Sequence, residues 1–158
     1  MNKLQELEKK YKELGEEIER LKNEGKVWKP KEDEKFYYFY GGGELSSALF
    51  DEDYENRHWT FGNCFKTEAE AEAMVEKIKI YTELKRLAEE IKTEPIDWKK
   101  STQKKHRIFY DWDEEKILTD NNNDFQMMGT IYSTNKDFLK IAKERIGEDR
   151  LLKLFKED

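Results

Sequence analysis

Chemistry at a protein site usually needs histidine, cysteine or paired carboxylates, and this sequence offers few of the first two. His58 and His106 are the only histidines and Cys64 the only cysteine. No helix pattern presents two histidines at i and i+4, so the usual zinc donor sets are missing and no metal site is expected. The run Asp120-Asn121-Asn122-Asn123-Asp124 opens like a calcium loop. Phe125 then stands where such a loop needs glycine, and Ile131 where it needs the bidentate glutamate, so a solvated turn is expected instead.

Nucleophilic catalysis is also poorly provided for. Cys64 precedes a helix start, where a thiol can be activated. His58 lies six residues away, about 20 Å along an extended chain, with no third orienting group. Carboxylates crowd two segments, Asp51-Glu52-Asp53 with Glu55, and Asp111 with Asp113, Glu114 and Glu115. Such runs are usually solvated turns. Gly41-Gly42-Gly43 joins two strand-like segments rather than a strand and a helix, so it reads as a hairpin turn and not a phosphate cradle. No catalytic residue, metal or cofactor is therefore expected, and the chain is read as non-catalytic.

Binding is better served. The segment "KKSTQKKHR" carries Lys99, Lys100, Lys104, Lys105 and Arg107 with no acid, and leads into Phe109, Tyr110 and Trp112. Basic residues beside aromatics suit phosphate contacts and base stacking, or an acidic protein surface. At the equivalent place in the first half, "DEDYENRHW" supplies Asp51, Asp53, Tyr54 and Trp59, an acidic and aromatic counterpart. The net charge of −6 has the wrong sign for a generic nucleic-acid binder.

The elements that must position these residues follow from pattern. Leu4, Leu7, Tyr11, Leu14, Ile18 and Leu21 are spaced alternately by three and four, with only polar residues and Gly15 between them. That is a coiled-coil seam, with Leu4, Tyr11 and Ile18 at the a positions and Leu7, Leu14 and Leu21 at d. The flanking g-to-e′ pairs, Lys3 with Glu8 and Glu17 with Lys22, are opposite in sign and permit a parallel dimer. Three heptads are marginal alone, so either a second chain or the chain's own body must cover the seam. Self-association into a homodimer is the expectation.

Beyond the arm, "KFYYFY" reads as a strand, "ELSSALF" as its return, 51–56 as an acidic loop and "RHWTF" as a third strand. Thr67 and Glu70 form a capping box, and the helix after it bears one broad stripe: Ala71, Met74, Val75, Ile78, Tyr81, Leu84, Leu87, Ala88 and Ile91. Around Trp98 the order repeats: a strand within 97–112, strands at 117–120 and 129–132, then a helix from Ser133 or Thr134 that Gly147 interrupts. The expected organisation is a helical coiled-coil arm over 1–26, a first ββ(β)α repeat over 27–96 and a second over 97–158. The fold class is α+β: one antiparallel sheet with helices 67–92 and 134–155 on one face, because a single such unit cannot cover its own sheet. The charged fraction of 42% against 36% hydrophobic fits a thin core plus a polar arm. No apolar run approaches 18 residues and the lone cysteine excludes an intrachain disulfide, so a cytoplasmic protein is expected.

The stretches "WKP…EKFYY", "GNCFKTEAEA" and "KERIGEDRLLKLF" resemble a family of small proteins encoded by phages and prophages of low-GC Gram-positive bacteria. The resemblance covers residues 27–155, and Asn135-Lys136-Asp137 departs from the family's acidic-alanine stretch. It implies a phage accessory protein in the bacterial host's cytoplasm. The expected function is a counter-defence, anti-CRISPR-type inhibitor that binds a host nuclease complex through the two charged segments. The alternatives are a protein that binds or sequesters nucleic acid or a signalling nucleotide, and a virion or scaffolding component.

Overall fold

The structure, a computed structural model, describes residues 3–23, 27–122 and 125–156. It is an α+β fold with antiparallel sheets and an N-terminal helix, as the sequence predicts. Helix α1 spans Lys3–Asn23. Strands β1 (Lys35–Phe39) and β2 (Leu45–Leu49) form a hairpin, followed by α2 (Glu52–Thr60) and the long α3 (Glu68–Ile91). The second half contains β3 (Lys105–Asp111), β4 (Lys116–Asn122), β5 (Tyr132–Ser133), α4 (Phe138–Arg145) and α5 (Glu148–Leu152). Among the described residues no helix is long and apolar enough to cross a membrane.

The strands make two sheets rather than the one expected: β1-β2, and β4-β3-β5 with β3 central. Helix α3 stands between them. Thr67 starts it with a full capping box: its hydroxyl accepts the Glu70 N–H at 3.2 Å, and the Glu70 carboxylate accepts the Thr67 N–H at 3.2 Å. The broad stripe read from the sequence divides into two. At about 100° per residue, Ala71 and Val75 share one face, while Ile80, Leu84, Leu87 and Ala88 lie on the opposite side; all six are buried. The first face meets the β1-β2 hairpin, whose Gly43 comes so close that a Cβ there would lie 3.0 Å from Val75 Cγ1. Gly43 also has a φ of 81°, a left-handed backbone that favours glycine. The second face joins the main core with Ile108, Tyr110, Ile117, Phe138, Ala142, Ile146 and Leu151. One helix thus serves two separate interiors, which is why two small sheets need not merge.

Four expected segments differ. Residues 57–61, expected as a strand, belong mostly to α2, and the expected acidic loop at 51–56 largely forms that helix's first turns. Asp51 Oδ1 accepts the Asp53 N–H at 3.0 Å and Arg57 sits in the last turn, so capping and the helix dipole outweigh the β-preference of Trp59, Thr60 and Phe61. The missing strand's place beside β1 is taken by Asn63 to Phe65. Phe65 bridges Tyr37 through two backbone bonds of 2.9 Å, and the Asn63 side-chain amide bonds both the N–H and the carbonyl of Phe39. In the second half only Tyr132 of the expected strand 129–132 is paired, together with Ser133 just beyond it. The helix expected over 134–155 starts at Phe138, because Thr134 is engaged elsewhere. Its hydroxyl accepts the N–H groups of Thr93 and Glu94 and donates to the Glu94 carbonyl, pinning β5 to the end of α3. Gly147, with φ 95°, then separates α4 from α5.

Candidate interaction surfaces

The basic segment is a folded turn, and it divides its five cations. Asp97 Oδ1 accepts the Lys99 N–H at 2.9 Å, and the buried Gln103 side chain bonds the Asp97 N–H and the Pro95 carbonyl at 2.8 Å each. Lys99, Lys100 and Lys104 project into solvent, with Lys100 Nζ 3.7 Å from a Glu94 oxygen. Lys105 does the opposite: it is 0% exposed. Its ammonium donates to the carbonyls of Lys100 and Gln103 at 3.1 Å each and lies 5.2 Å from the centre of the Trp98 ring. It holds the turn from within, so its expected role as a partner contact is corrected to a structural one. Arg107 is spent too. It forms a two-pronged pair with Asp120 at 2.7 Å in each arm, touches the Met127 sulfur and lies over the Phe109 ring. That pairing holds the Asp120 carboxyl below its ordinary range and raises the guanidinium further.

The acidic segment is the start of α2. Asp51 and Asp53 are exposed, while Glu52 pairs with Lys29 at 3.0 Å. Trp59 donates its indole N–H to the Trp28 carbonyl at 3.2 Å, and Lys29 lies 5.3 Å from its ring and 5.6 Å from that of Phe50. Trp59 is therefore largely a strut that docks α2 on residues 28–29. The Tyr54 side chain lies outside the described residues. The two predicted patches belong to different units, the acidic one beside the β1-β2 hairpin and the basic one leading into β3.

The residues considered for chemistry sit in structural roles. The His58 ring packs 4.5 Å from Tyr38 and 5.9 Å from Phe36. Cys64 is half-buried next to the Tyr37–Phe65 bridge. His106 lies on β3, opposite Asn121 and Ser133. Burial is the main cause lowering its affinity for a proton, Lys104 adds to it, and Asp120 and Asp137 act the other way. Among the described residues no group of three His, Cys, Asp or Glu side chains could hold a metal. The calcium-like run contributes Asp120 to Arg107, and its residues 123–124 lie outside the described residues.

Several surface features escape a linear reading. The Arg107–Asp120 pair follows from the hairpin register: with Asp111 opposite Lys116, Arg107 falls opposite Asp120. A turn placed at 112–115 would have revealed it. Arg150 of α5 bonds Glu83 and Glu76 of α3, a clamp between distant segments with no sequence signal. Between the two faces of α3 that are covered, Met74, Ile78 and Tyr81 remain partly exposed at i, i+4 and i+7. Met74 borders a groove of about 550 Å³ with Phe65 and Ala73, lined by charges of both signs such as Glu76 and Lys153. Elsewhere Phe61 is 86% exposed and Trp112 67%. Comparison with known protein families, curated proteins and solved structures finds no match to this chain.

Proposed function

We propose that the protein works by binding another macromolecule, and that it does so as a counter-defence inhibitor occupying a host nuclease complex. The biological half of this reading rests on the resemblance to phage-encoded proteins. The physical half rests on one contrast. Two of the five cations of the basic segment are engaged within the fold, whereas some large aromatic side chains stand in solvent. Lys105 and Arg107 are tied to carbonyls and Asp120, and Phe61 and Trp112 are left open. Exposed aromatics suit the role of binding anchors, since they lose large area and little rotamer entropy on docking. Lys99, Lys100 and Lys104 near β3, and Asp51 and Asp53 at the start of α2, then supply orientation more than affinity.

The test is expression in bacteria that carry an active RNA-guided nuclease and are challenged with a targeted phage, together with co-purification of the nuclease. The expected result is restored plaque formation and a stable complex, both lost in the double variant Phe61→Ala, Trp112→Ala. No protection across nuclease types would overturn the biological reading. Protection that survives the double variant, and also survives charge reversal at Lys99, Lys100 and Lys104, would overturn the assignment of surfaces. The nucleic-acid alternative makes a separate demand, binding to a bare oligonucleotide that weakens steeply with salt. With two of five cations withdrawn into the fold, no such binding is expected.

A further inference from the structure

We propose that α1 is a dimerisation arm: two copies of this chain pair their α1 helices in parallel through the seam from Leu4 to Leu21. The first support is exposure. Every seam residue of the folded chain remains open to solvent, from 44% at Ile18 to 82% at Tyr11, so the body does not cover the seam. A single 21-residue helix with an uncovered apolar stripe is marginal in water, and a partner helix is what a 3.5-residue spacing fits.

The polar positions specify which partner. Ion pairs Lys9–Glu13 and Lys12–Glu16 run along the helix on the b, c and f positions, the face turned away from the seam. Beside the seam, the g-to-e′ pairs of a parallel self-pairing are Lys3 with Glu8′ and Glu17 with Lys22′, each formed twice and each attractive. Glu17 also holds Arg20 of its own helix at 2.7 Å, which fixes the carboxylate near the seam's edge. The third such pair sets Lys10 against Gly15′ and carries no repulsion. No unlike partner is needed to satisfy this pattern, because the chain complements itself.

The apolar positions specify number and direction. Leucine at all three d positions with Ile18 at an a position is the two-stranded parallel preference. Tyr11 at the central a position argues against three strands, whose interior would strand its hydroxyl, whereas a two-stranded seam leaves that group at the wet edge. Gly15 weakens the helix, and a Cβ there would meet nothing within 4 Å in the single chain. In a parallel pair it borders the hole that receives Leu14′, where a missing side chain lets the two backbones approach.

The experiment uses the full chain in light scattering or sedimentation over a concentration series. The expected species at about 100 μM is a pair of 19.1 kDa chains, with a dissociation constant of about 10–100 μM. Leu7→Glu with Leu14→Glu is expected to give monomer while the body's thermal transition is unchanged, because the seam lies outside its core. Glu8→Lys should weaken the dimer about three- to tenfold, and adding Lys3→Glu should restore it. For direction, Leu14→Cys in a Cys64→Ser background should oxidise to a 14–14′ disulfide. A monomer throughout the series, a trimer or larger species, or a dimer that survives the double glutamate variant would overturn the proposal. Cross-linking that occurs only between Tyr11→Cys and Leu14→Cys chains would overturn the parallel arrangement, and with it the proposal as stated.

Discussion

Replacing Lys105 by methionine tests whether the basic segment is a binding loop or a folded turn with a cation inside it. Methionine retains most of the side chain's length and apolar stem, so packing against Trp98 is largely preserved. What is lost is the ammonium and its bonds to the Lys100 and Gln103 carbonyls, both 3.1 Å long. A hydrogen bond to a charged group contributes about 1.5–3 kcal/mol, and a desolvated contact with an aromatic face about 2 kcal/mol. Against these stands the several kcal/mol already spent on burying the ammonium, which the substitution recovers. The net effect is set by the two acceptors left behind. The Gln103 carbonyl belongs to a residue only 4% exposed, so water cannot readily replace the lost donor. Lys100 is exposed and its carbonyl can be rehydrated. One orphaned acceptor at full cost and one at partial cost gives a destabilisation of about 2–3 kcal/mol. For a chain of this length that corresponds to about 5–10 °C in melting temperature.

The assay is thermal and urea unfolding of Lys105→Met beside Lys104→Met, read by circular dichroism. The neighbour is the control, since an exposed lysine of equal charge should change stability by less than about 0.5 kcal/mol. Hydrogen exchange should show faster amide exchange over residues 97–104 in Lys105→Met alone. If both variants melt together at the wild-type temperature, Lys105 is an ordinary surface lysine, and the division of the five cations into three exposed and two engaged is wrong.

Two further outcomes follow from the same structure. Thr67→Ala removes the hydroxyl that accepts the Glu70 N–H and should lower stability by about 1 kcal/mol, whereas Thr67→Ser should be nearly silent; equal urea midpoints for the alanine variant and wild type would deny the capping box its role. His106 has its proton affinity lowered from the ordinary value of 6.5, by burial first and by Lys104 second. Its protonation therefore favours the unfolded chain, so stability should be full above pH 6.5 and decline as pH falls through that value toward the folded midpoint. An NMR titration should place the His106 midpoint below 6.5, and His106→Gln should flatten the decline; a midpoint above 6.5 would contradict the burial.

What could be read from the sequence was local. The capping box at Thr67 and Glu70, the aromatic run of β1 and the three-four spacing of α1 each fix an element from residues within one or two turns of it, and each element forms. Where reading failed, the deciding interaction was distant or a competing local signal was stronger. Thr134 has the composition of a helix cap, but its hydroxyl bonds residues about forty positions earlier in the chain, at the end of α3. Residues 57–61 have strand-forming side chains, yet Asp51 and the charge order of α2 carry them into a helix. The stripe on α3 looks continuous because periodicity reports which residues are apolar and not how many bodies they face.

The charged surface shows the same limit in sharper form, and it bears directly on function. A count of formal charge treats Lys99, Lys100, Lys104, Lys105 and Arg107 as five equal members of a patch. The fold treats them as three kinds of residue. Lysine can be drawn inward where a turn offers converging carbonyls, and this one offers those of Lys100 and Gln103 under the ring of Trp98. Arginine is drawn into a two-pronged pair wherever a hairpin register brings a carboxylate opposite, and β4 brings Asp120. Only the residues with neither opportunity remain to meet a partner. Their number is too small for affinity to come from charge, and Phe61 and Trp112 are among the exposed large side chains that can supply it. Charge reversal at Lys99, Lys100 and Lys104 should therefore slow association with a partner and increase its salt sensitivity, while loss of the two aromatic rings should speed dissociation.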